Sequence, residues 1–343
     1  MLAAAFRAYG GPDVLRAEQL PDPVPGPEDV LVAVRACGVN HSDLDSRAGT
    51  SRWEFDFPFV LGAEFAGTVA AVGAHVTGVA PGDPVTALQQ FSCGRCRWCA
   101  RWRPDLCPDF VVLGTDRWGG YAELVAVPAR AIIPLRSDDD FAVAAASQTV
   151  VSTAWHMTVT LTAIRAGETV LVPSASGGVA SALVQCAKLA GARVIASVGS
   201  AAKVDAVADL GADEVFCYRD RPVADAVAAW TRGRGVDAVL DTVGGPQFGA
   251  HLDALRPDGR LATCGAHAGE HVDVDLIRLF RRGQRILGFR VATPEEIERS
   301  LELALDGRIR VPVAATYDLA DASSAHVALE RREHVGKLLL TAS

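Results

Sequence analysis

One stretch limits what this chain can fold into more than any other: Thr169-Val-Leu-Val-Pro-Ser-Ala-Ser-Gly-Gly-Val-Ala-Ser-Ala-Leu-Val-Gln-Cys-Ala-Lys-Leu-Ala-Gly-Ala-Arg-Val-Ile-Ala-Ser197. Residues 169–172 are a short apolar, β-branched run that reads as a buried strand. Gly177 and Gly178 follow where a Cβ would obstruct a tight turn. Residues 179–189 have helical periodicity, Gly191 stops the helix, and 193–197 are a second strand. Strand, glycine turn, helix, strand is the unit that seats a dinucleotide pyrophosphate on a helix N-terminus, where free N–H groups and the helix dipole favour an anion. Ala175, Gly177 and Ala180 stand at the three fingerprint positions, with Gly178 and Val179 supplying the first N–H groups of the helix. Alanine is accepted at the third position and loosens the match at the first. The alternative is an ordinary strand-to-helix turn; the alternation that continues beyond it favours the nucleotide.

The next strand indicates which nucleotide. An NAD site calls for Asp or Glu about 20 residues after the turn, to bind the ribose 2′-hydroxyl. Here the chain reads Ser197-Val-Gly-Ser-Ala-Ala-Lys203, with no carboxylate before Asp205. Gly199 and Ser200 leave room for a 2′-phosphate, Lys203 supplies a compensating charge, and Tyr218 offers a hydroxyl. NADP(H) is the expected cofactor, although Lys203 alone would read as a solvated helix residue.

At 343 residues the chain has room for two domains, and 50% of it is hydrophobic. A net charge of −8 argues against nucleic acid or an anionic membrane as the main partner. No run of 18 uncharged apolar residues exists and the first residues lack a signal-like core, so a cytoplasmic enzyme is expected. The residues before about 140 read as short strands punctuated by Gly and Pro, as in a small β-barrel. Beyond that, Ala-rich helices alternate with strands at 169–172, 194–197, 214–217, 238–240, 260–264 and 285–289, the pattern of a parallel α/β sheet. Residues 294–305 form an amphipathic helix, after which strand–helix–strand returns.

The cysteines divide into four scattered in apolar contexts and four, Cys93, Cys96, Cys99 and Cys107, within one 15-residue loop. Four thiolates around one ion form a closed tetrahedral site with no position open to substrate. One structural zinc, holding an otherwise Arg-rich loop, is therefore expected.

The order of these parts resembles the medium-chain dehydrogenase/reductase superfamily over essentially the whole length. The resemblance is carried by Ala36-Cys-Gly-Val-Asn-His-Ser-Asp43, Leu61-Gly-Ala-Glu-Phe-Ala-Gly67, residues 76–83, the cysteine lobe and the glycine turn. It implies an α/β protein: a GroES-like β-barrel catalytic domain (1–127, zinc lobe 93–107), a Rossmann doubly wound parallel sheet that binds NADP (128–291), and a return to the catalytic domain (292–343). The zinc alcohol dehydrogenases of that family carry a second, catalytic zinc; its ligand positions fall here on Asn40, Ala63 and Thr149, none of them a ligand. No catalytic zinc is expected, and Glu64 beside that site is left a structural role. An improvised site from His41, Glu64 and His156 is the alternative.

Asn at the Gly-Val-Asn position instead resembles the zinc-free quinone oxidoreductase and enoyl reductase branch. That branch implies hydride transfer from NADPH to an activated C=C bond of an enone, enoyl thioester or quinone, or a variant in which reduction triggers ring closure. By this resemblance Asn40 bonds the nicotinamide or the substrate oxygen; by the resemblance to the alcohol dehydrogenases, Ser42 stands where a hydroxyl contacts substrate and Asp45 lies near their proton relay. His41 and Lys337 reach the pyrophosphate, and Thr149 and Thr153 line the nicotinamide pocket. The tyrosine often found downstream in quinone oxidoreductases is missing. Aromatics at 53–59, Phe91, Phe110, Trp118 and Trp155 fit the walls of an apolar substrate pocket, and residues 285–291 an edge strand that joins a homodimer or a dimer of dimers. Two other readings stay open: an alcohol dehydrogenase with an unusual metal site, and a nucleotide-binding protein without turnover.

Overall fold

The computed structural model describes every residue except Trp102, Asp138 and Ser343. The chain forms two compact units, Met1–Thr149 with Val313–Ser343, and Val150–Pro312. Among the described residues no helix is long and apolar enough to cross a membrane.

The first unit is built around one long strand, Asp29–Val39. It pairs antiparallel with Phe65–Val72, Leu124–Pro128 and Lys337–Thr341. Register shifts at Leu31/Val32 and Val34/Ala36 mark bulges, which bend a strand and let it serve several partners along its length. Val30, Val32 and Val34 point inward and are buried, and they alternate with half-buried neighbours as one-sided burial requires. They join Phe6, Phe65, Leu113, Tyr121 and Leu338 in a single core. Each such side chain contributes roughly 1.5–3 kcal/mol on leaving water. The last strand lies in register with the first part of the barrel through Leu338↔Val39 and Leu339↔Gly38. That register sets Lys337 beside Asn40.

The second unit holds a six-stranded parallel sheet in the order Glu214–Cys217, Arg193–Val198, Thr169–Val172, Val236–Asp241, Leu255–Thr263, Arg285–Gly288. The earliest of these strands lies inside the sheet with later strands on both sides, so the order reverses at Thr169–Val172. In open α/β sheets ligands sit beyond the carboxyl ends of the strands at this reversal. The turn at 173–177 occupies that place.

The unit boundaries lie further along the chain than the sequence implied. Residues 128–149 stay with the barrel because Ile132–Pro134 pairs with Pro84–Ala87. The helix Pro294–Leu305 belongs to the second unit, where Glu296 accepts from His156 Nδ1 at 2.8 Å and Ile297 and Leu301 are buried. The barrel resumes only at Val313. The helix Phe141–Trp155 continues into a π-helical turn, His156–Leu161, that periodicity does not reveal.

Candidate active site

In the first unit, the end of Asp29–Val39 and the start of the helix His41–Ala48 meet at Asn40. The Asn40 N–H donates to the Asp43 carboxylate at 2.8 Å, which satisfies one orphan group of the helix start. The Asn40 side chain is drawn to two buried charges. Its Oδ1 accepts from Lys337 Nζ at 2.7 Å and its Nδ2 donates to Glu64 Oε1 at 2.9 Å. Lys337 also donates to the Val39 carbonyl at 2.9 Å and pairs directly with Glu64 Oε1. Glu64 Oε2 accepts the Thr149 N–H at 2.8 Å. Glu64 is fully buried and Lys337 is 3% exposed. Gly38 makes the arrangement possible, since a Cβ there would strike the Glu64 carboxylate and lie 2.7 Å from the Ala145 carbonyl.

An ammonium has three donors, and all three of Lys337 are engaged within this unit. The expectation that Lys337 reaches a pyrophosphate therefore gives way to a different set of partners. Of the other expected residues, His41 and Asp45 are half-buried on the same short helix and Ser42 is exposed on its first turn. Thr149 bonds Gln89 through its hydroxyl. Thr153, in the second unit, is buried. The aromatic segment divides: Phe55 and Phe59 are buried with ring centroids 4.6 Å apart, while Trp53 and Phe57 are exposed.

Beneath Asn40 lies a polar chain that sequence reasoning missed. Asp43 accepts from the Tyr121 hydroxyl at 3.1 Å, Tyr121 lies 3.3 Å from His326 Nε2, and His326 Nδ1 lies 3.4 Å from Arg47. Arginine only donates, so Nδ1 is the acceptor and the neutral ring carries its proton on Nε2. The chain then runs donor to acceptor from Arg47 through His326 and Tyr121 to Asp43. Burial raises Asp43 to about 6, against the pull of the Asn40 N–H, Lys337 and Tyr121. Burial, assisted by Arg47, lowers His326 to about 3. The signal available in sequence was the pair Asp43 and Arg47, four residues apart on a helix whose inward face also carries Leu44.

The second unit holds the glycine turn. Ala175 N–H donates to the Ser197 carbonyl at 2.8 Å, which ties the turn to the neighbouring strand. The left-handed conformation falls on Ser174, at φ 51°, and Gly177 has an ordinary φ of −75° as N-cap of the helix Gly178–Leu189. A Cβ on Gly177 would meet only the Ser174 carbonyl, at 3.7 Å. Gly177 is thus not demanded by the turn itself, contrary to the steric argument from sequence. What its missing side chain leaves is open space against the helix N-terminus. Ala175 and Ala180 are buried, and Gly178 and Val179 are the first two residues of the helix.

At the adjacent strand ends, parallel pairing of Val198 with Cys217 brings Gly199 to Tyr218. A Cβ on Gly199 would lie 2.8 Å from the Tyr218 hydroxyl, so glycine is needed for that ring to sit there. Ser200 precedes the short turn Ala201–Lys203, which places Lys203 one turn beyond Gly199. No carboxylate stands between Val198 and Lys203.

The cysteine lobe brings its four sulfurs within 4.8 Å of one another. Cys93 and Cys107 are 3.5 Å apart, Cys96 and Cys99 3.6 Å, and Cys93 and Cys99 4.0 Å. A tetrahedron with zinc–sulfur bonds of about 2.3 Å has edges of about 3.8 Å, so the four fit one such ion. The Ser92 hydroxyl lowers the Cys99 thiol to about 6, whereas burial raises Cys107 to about 11. Among the described residues this is the only cluster of His, Cys, Asp and Glu side chains that could hold a metal.

Comparison with known proteins agrees with this geometry. Residues 26–137 match the alcohol dehydrogenase GroES-like domain and residues 178–306 the zinc-binding dehydrogenase family. The chain is 30% identical to the acryloyl-coenzyme A reductase of Metallosphaera sedula, over 94% of this chain and 95% of that protein. It is 31% identical to a quinone oxidoreductase of Pseudomonas aeruginosa, with 98% of each covered. Among solved structures, an NAD-dependent alcohol dehydrogenase superposes at TM-score 0.95 with 38% identity over all of both chains. The Escherichia coli quinone oxidoreductase complexed with NADPH superposes at 0.84 with 27% identity, over 99% of this chain and 100% of that one. With relatives this similar along its whole length, the chain belongs to the medium-chain dehydrogenase/reductase superfamily and is an oxidoreductase.

Proposed function

We propose that this enzyme uses NADPH to reduce an activated C=C bond, in an enone, an enoyl thioester or a quinone. The observation that carries the reading is the Asn40 carboxamide, tied to a buried Glu64–Lys337 pair where metal-dependent relatives need a ligand set. Asn40, Ala63 and Thr149 cannot supply three ligands to a catalytic zinc. Reduction of a conjugated bond needs a hydride donor and a group that stabilises the enolate oxygen, both of which are possible without a metal. NADPH supplies the hydride when bound. The open space at Gly177, against the first N–H groups of its helix, suits a pyrophosphate. Gly199, Ser200, Lys203 and Tyr218 suit a ribose 2′-phosphate. Asn40 then offers an amide N–H to the acceptor's oxygen, while Ser42 and Asp45 stand on the same helix as further hydroxyl and carboxylate groups.

Two variants test the cofactor. Gly177→Ala should leave thermal stability within about 1 kcal/mol, because its φ suits alanine, yet weaken NADPH at least about tenfold by filling the phosphate's space. Lys203→Ala should weaken NADPH by about tenfold or more and NADH by less than about twofold, as expected for loss of a charge-assisted bond to a phosphate. Titration of each protein with both nucleotides decides; equal effects on the two would remove the phosphate role.

The cysteine lobe holds one zinc ion, for shape and not for chemistry. Elemental analysis should find one zinc per chain, lost on Cys99→Ser. Two per chain would favour the second reading, an alcohol dehydrogenase, which the similarity to an NAD-dependent member keeps in play. Turnover itself is tested by following NADPH oxidation with benzoquinone, cyclohexenone and crotonyl-coenzyme A. No rate above background with any of them would reject the reductase reading.

The enzyme is a dimer joined at the edge strand Arg285–Gly288. This strand ends the parallel sheet and exposes Ile286, and the helix Leu276–Arg281 nearby exposes Leu276, Ile277 and Phe280. Unpaired apolar edges invite pairing. Ile286→Lys should shift the mass measured by light scattering from dimer to monomer, and an unchanged mass would move the interface elsewhere.

A further inference from the structure

We infer that Lys337 and Glu64 together are a positioning device that fixes which end of the Asn40 carboxamide is available to the substrate, an inference that rests on the reductase reading above. A carboxamide has two orientations related by a half-turn about its last side-chain torsion, nearly equal in shape and opposite in polarity. Here the two neighbours remove the choice. Lys337 Nζ only donates, and it stands 2.7 Å from one end of the amide; the Glu64 carboxylate only accepts, and it stands 2.9 Å from the other. The reversed amide would set its N–H groups against an ammonium and its oxygen against a carboxylate, both repulsive in a buried setting. Oδ1 is therefore held on Lys337 and one hydrogen of Nδ2 on Glu64, which leaves the other Nδ2 hydrogen as the group Asn40 can offer.

The pair is itself held rigidly. Lys337 also donates to the Val39 carbonyl, Glu64 also accepts the Thr149 N–H, and Gly38 admits the carboxylate. A reaction in which negative charge grows on a substrate oxygen gains from a donor already aimed before the charge appears. A freely turning amide would present its own oxygen for part of the time and repel that charge. Lys337 and Glu64 act only through Asn40 and contact no reacting atom.

The test compares wild type, Asn40→Ala, the charge-neutral pair Glu64→Gln/Lys337→Met, and the triple variant. Each is assayed with NADPH and whichever of benzoquinone, cyclohexenone or crotonyl-coenzyme A the wild type reduces fastest. Removing both charges together avoids a lone buried ion, so the pair variant should keep its cooperative thermal transition. Its kcat should fall at least about tenfold with KM for NADPH within about twofold, since part of an oriented donor's effect is lost. The triple variant should be no slower than Asn40→Ala, because a misaimed amide and a missing one fail together. Lys337→Arg, which keeps a donor and a charge, should recover part of the rate. If the pair only stabilises the fold, the neutral pair variant will turn over like wild type, or its loss will multiply with that of Asn40→Ala; either result overturns the inference and leaves the reductase reading standing. A wild type inert with every acceptor overturns both. Should the pair variant not fold, Glu64→Asp, which keeps the countercharge of Lys337 but draws the acceptor away from Nδ2, is read by the same two comparisons.

Discussion

Asn40→Ala should lower kcat by about a hundredfold on the best acceptor while NADPH affinity stays within about twofold, the pattern of a lost oxyanion donor. Asn40 is half-buried at the mouth of the helix His41–Ala48, and its backbone N–H is already spent on Asp43. Its side chain is the part left to act, and alanine removes it at a cost of about 1 kcal/mol to the helix start, where Asn40 is the N-cap and shares a capping box with Asp43. Asn40→Asp is the sharper variant: it keeps the shape, loses the donor, and sets a carboxylate next to Glu64. It should be at least as slow as Asn40→Ala. Stopped assays at saturating NADPH and acceptor measure both, and an unchanged kcat in either variant would remove Asn40 from the chemistry.

The stability of the first unit should respond to acid in opposite senses in two single variants. His326 folds with its pKa near 3 against an ordinary 6.5, so the folded state resists protonation. Its contribution is complete above pH 6.5 and is lost as pH falls from there toward 3. Asp43 folds near 6 against an ordinary 3.8, so between those values the folded state holds a proton that the unfolded state has released. Its contribution improves as pH falls from 6 toward 3.8. Between pH 6 and 4 the two slopes oppose each other in the wild type. Asp43→Asn removes the compensation, so acidification from pH 7 to 5 should cost that variant about 2 kcal/mol, from one and a half pH units of the histidine at about 1.4 kcal/mol each. His326→Gln leaves the aspartate alone and should become about 1 kcal/mol more stable over the same interval. Denaturant midpoints at pH 7 and pH 5 decide it; slopes of the same sign in both variants would refute the linkage.

What could be read from the sequence follows the range of the interactions. The strand–turn–helix at 169–197 was legible because every signal in it is local: β-branched residues, two glycines and helical spacing. The gathering of the four cysteine sulfurs was legible because Cys93, Cys96, Cys99 and Cys107 already lie within 15 residues of sequence. Unit boundaries were harder, since the placement of Ile132–Pro134 and of the helix Pro294–Leu305 depends on partners far away in sequence. The role of Gly177 was misjudged because spacing cannot tell a glycine that bends the chain from one that leaves room beside it. Lys337 was expected on a phosphate for a similar reason. Only the register Leu338↔Val39 shows that it opens inward onto Asn40 and Glu64. Of the chain from Arg47 to Asp43 only its two ends left a local signal, as Tyr121 and His326 between them lie 205 residues apart.

The strand that carries Lys337 has a bearing on how the molecule is made. Asn40 and Lys337 are separated by 297 residues, with the whole of the second unit threaded between them. While the polypeptide emerges from the ribosome, Asp29–Val39 has an open side and Glu64 has no countercharge, however well the intervening nucleotide unit has folded. Completion of the barrel is a late, long-range event, of the kind that exposes apolar edges to aggregation.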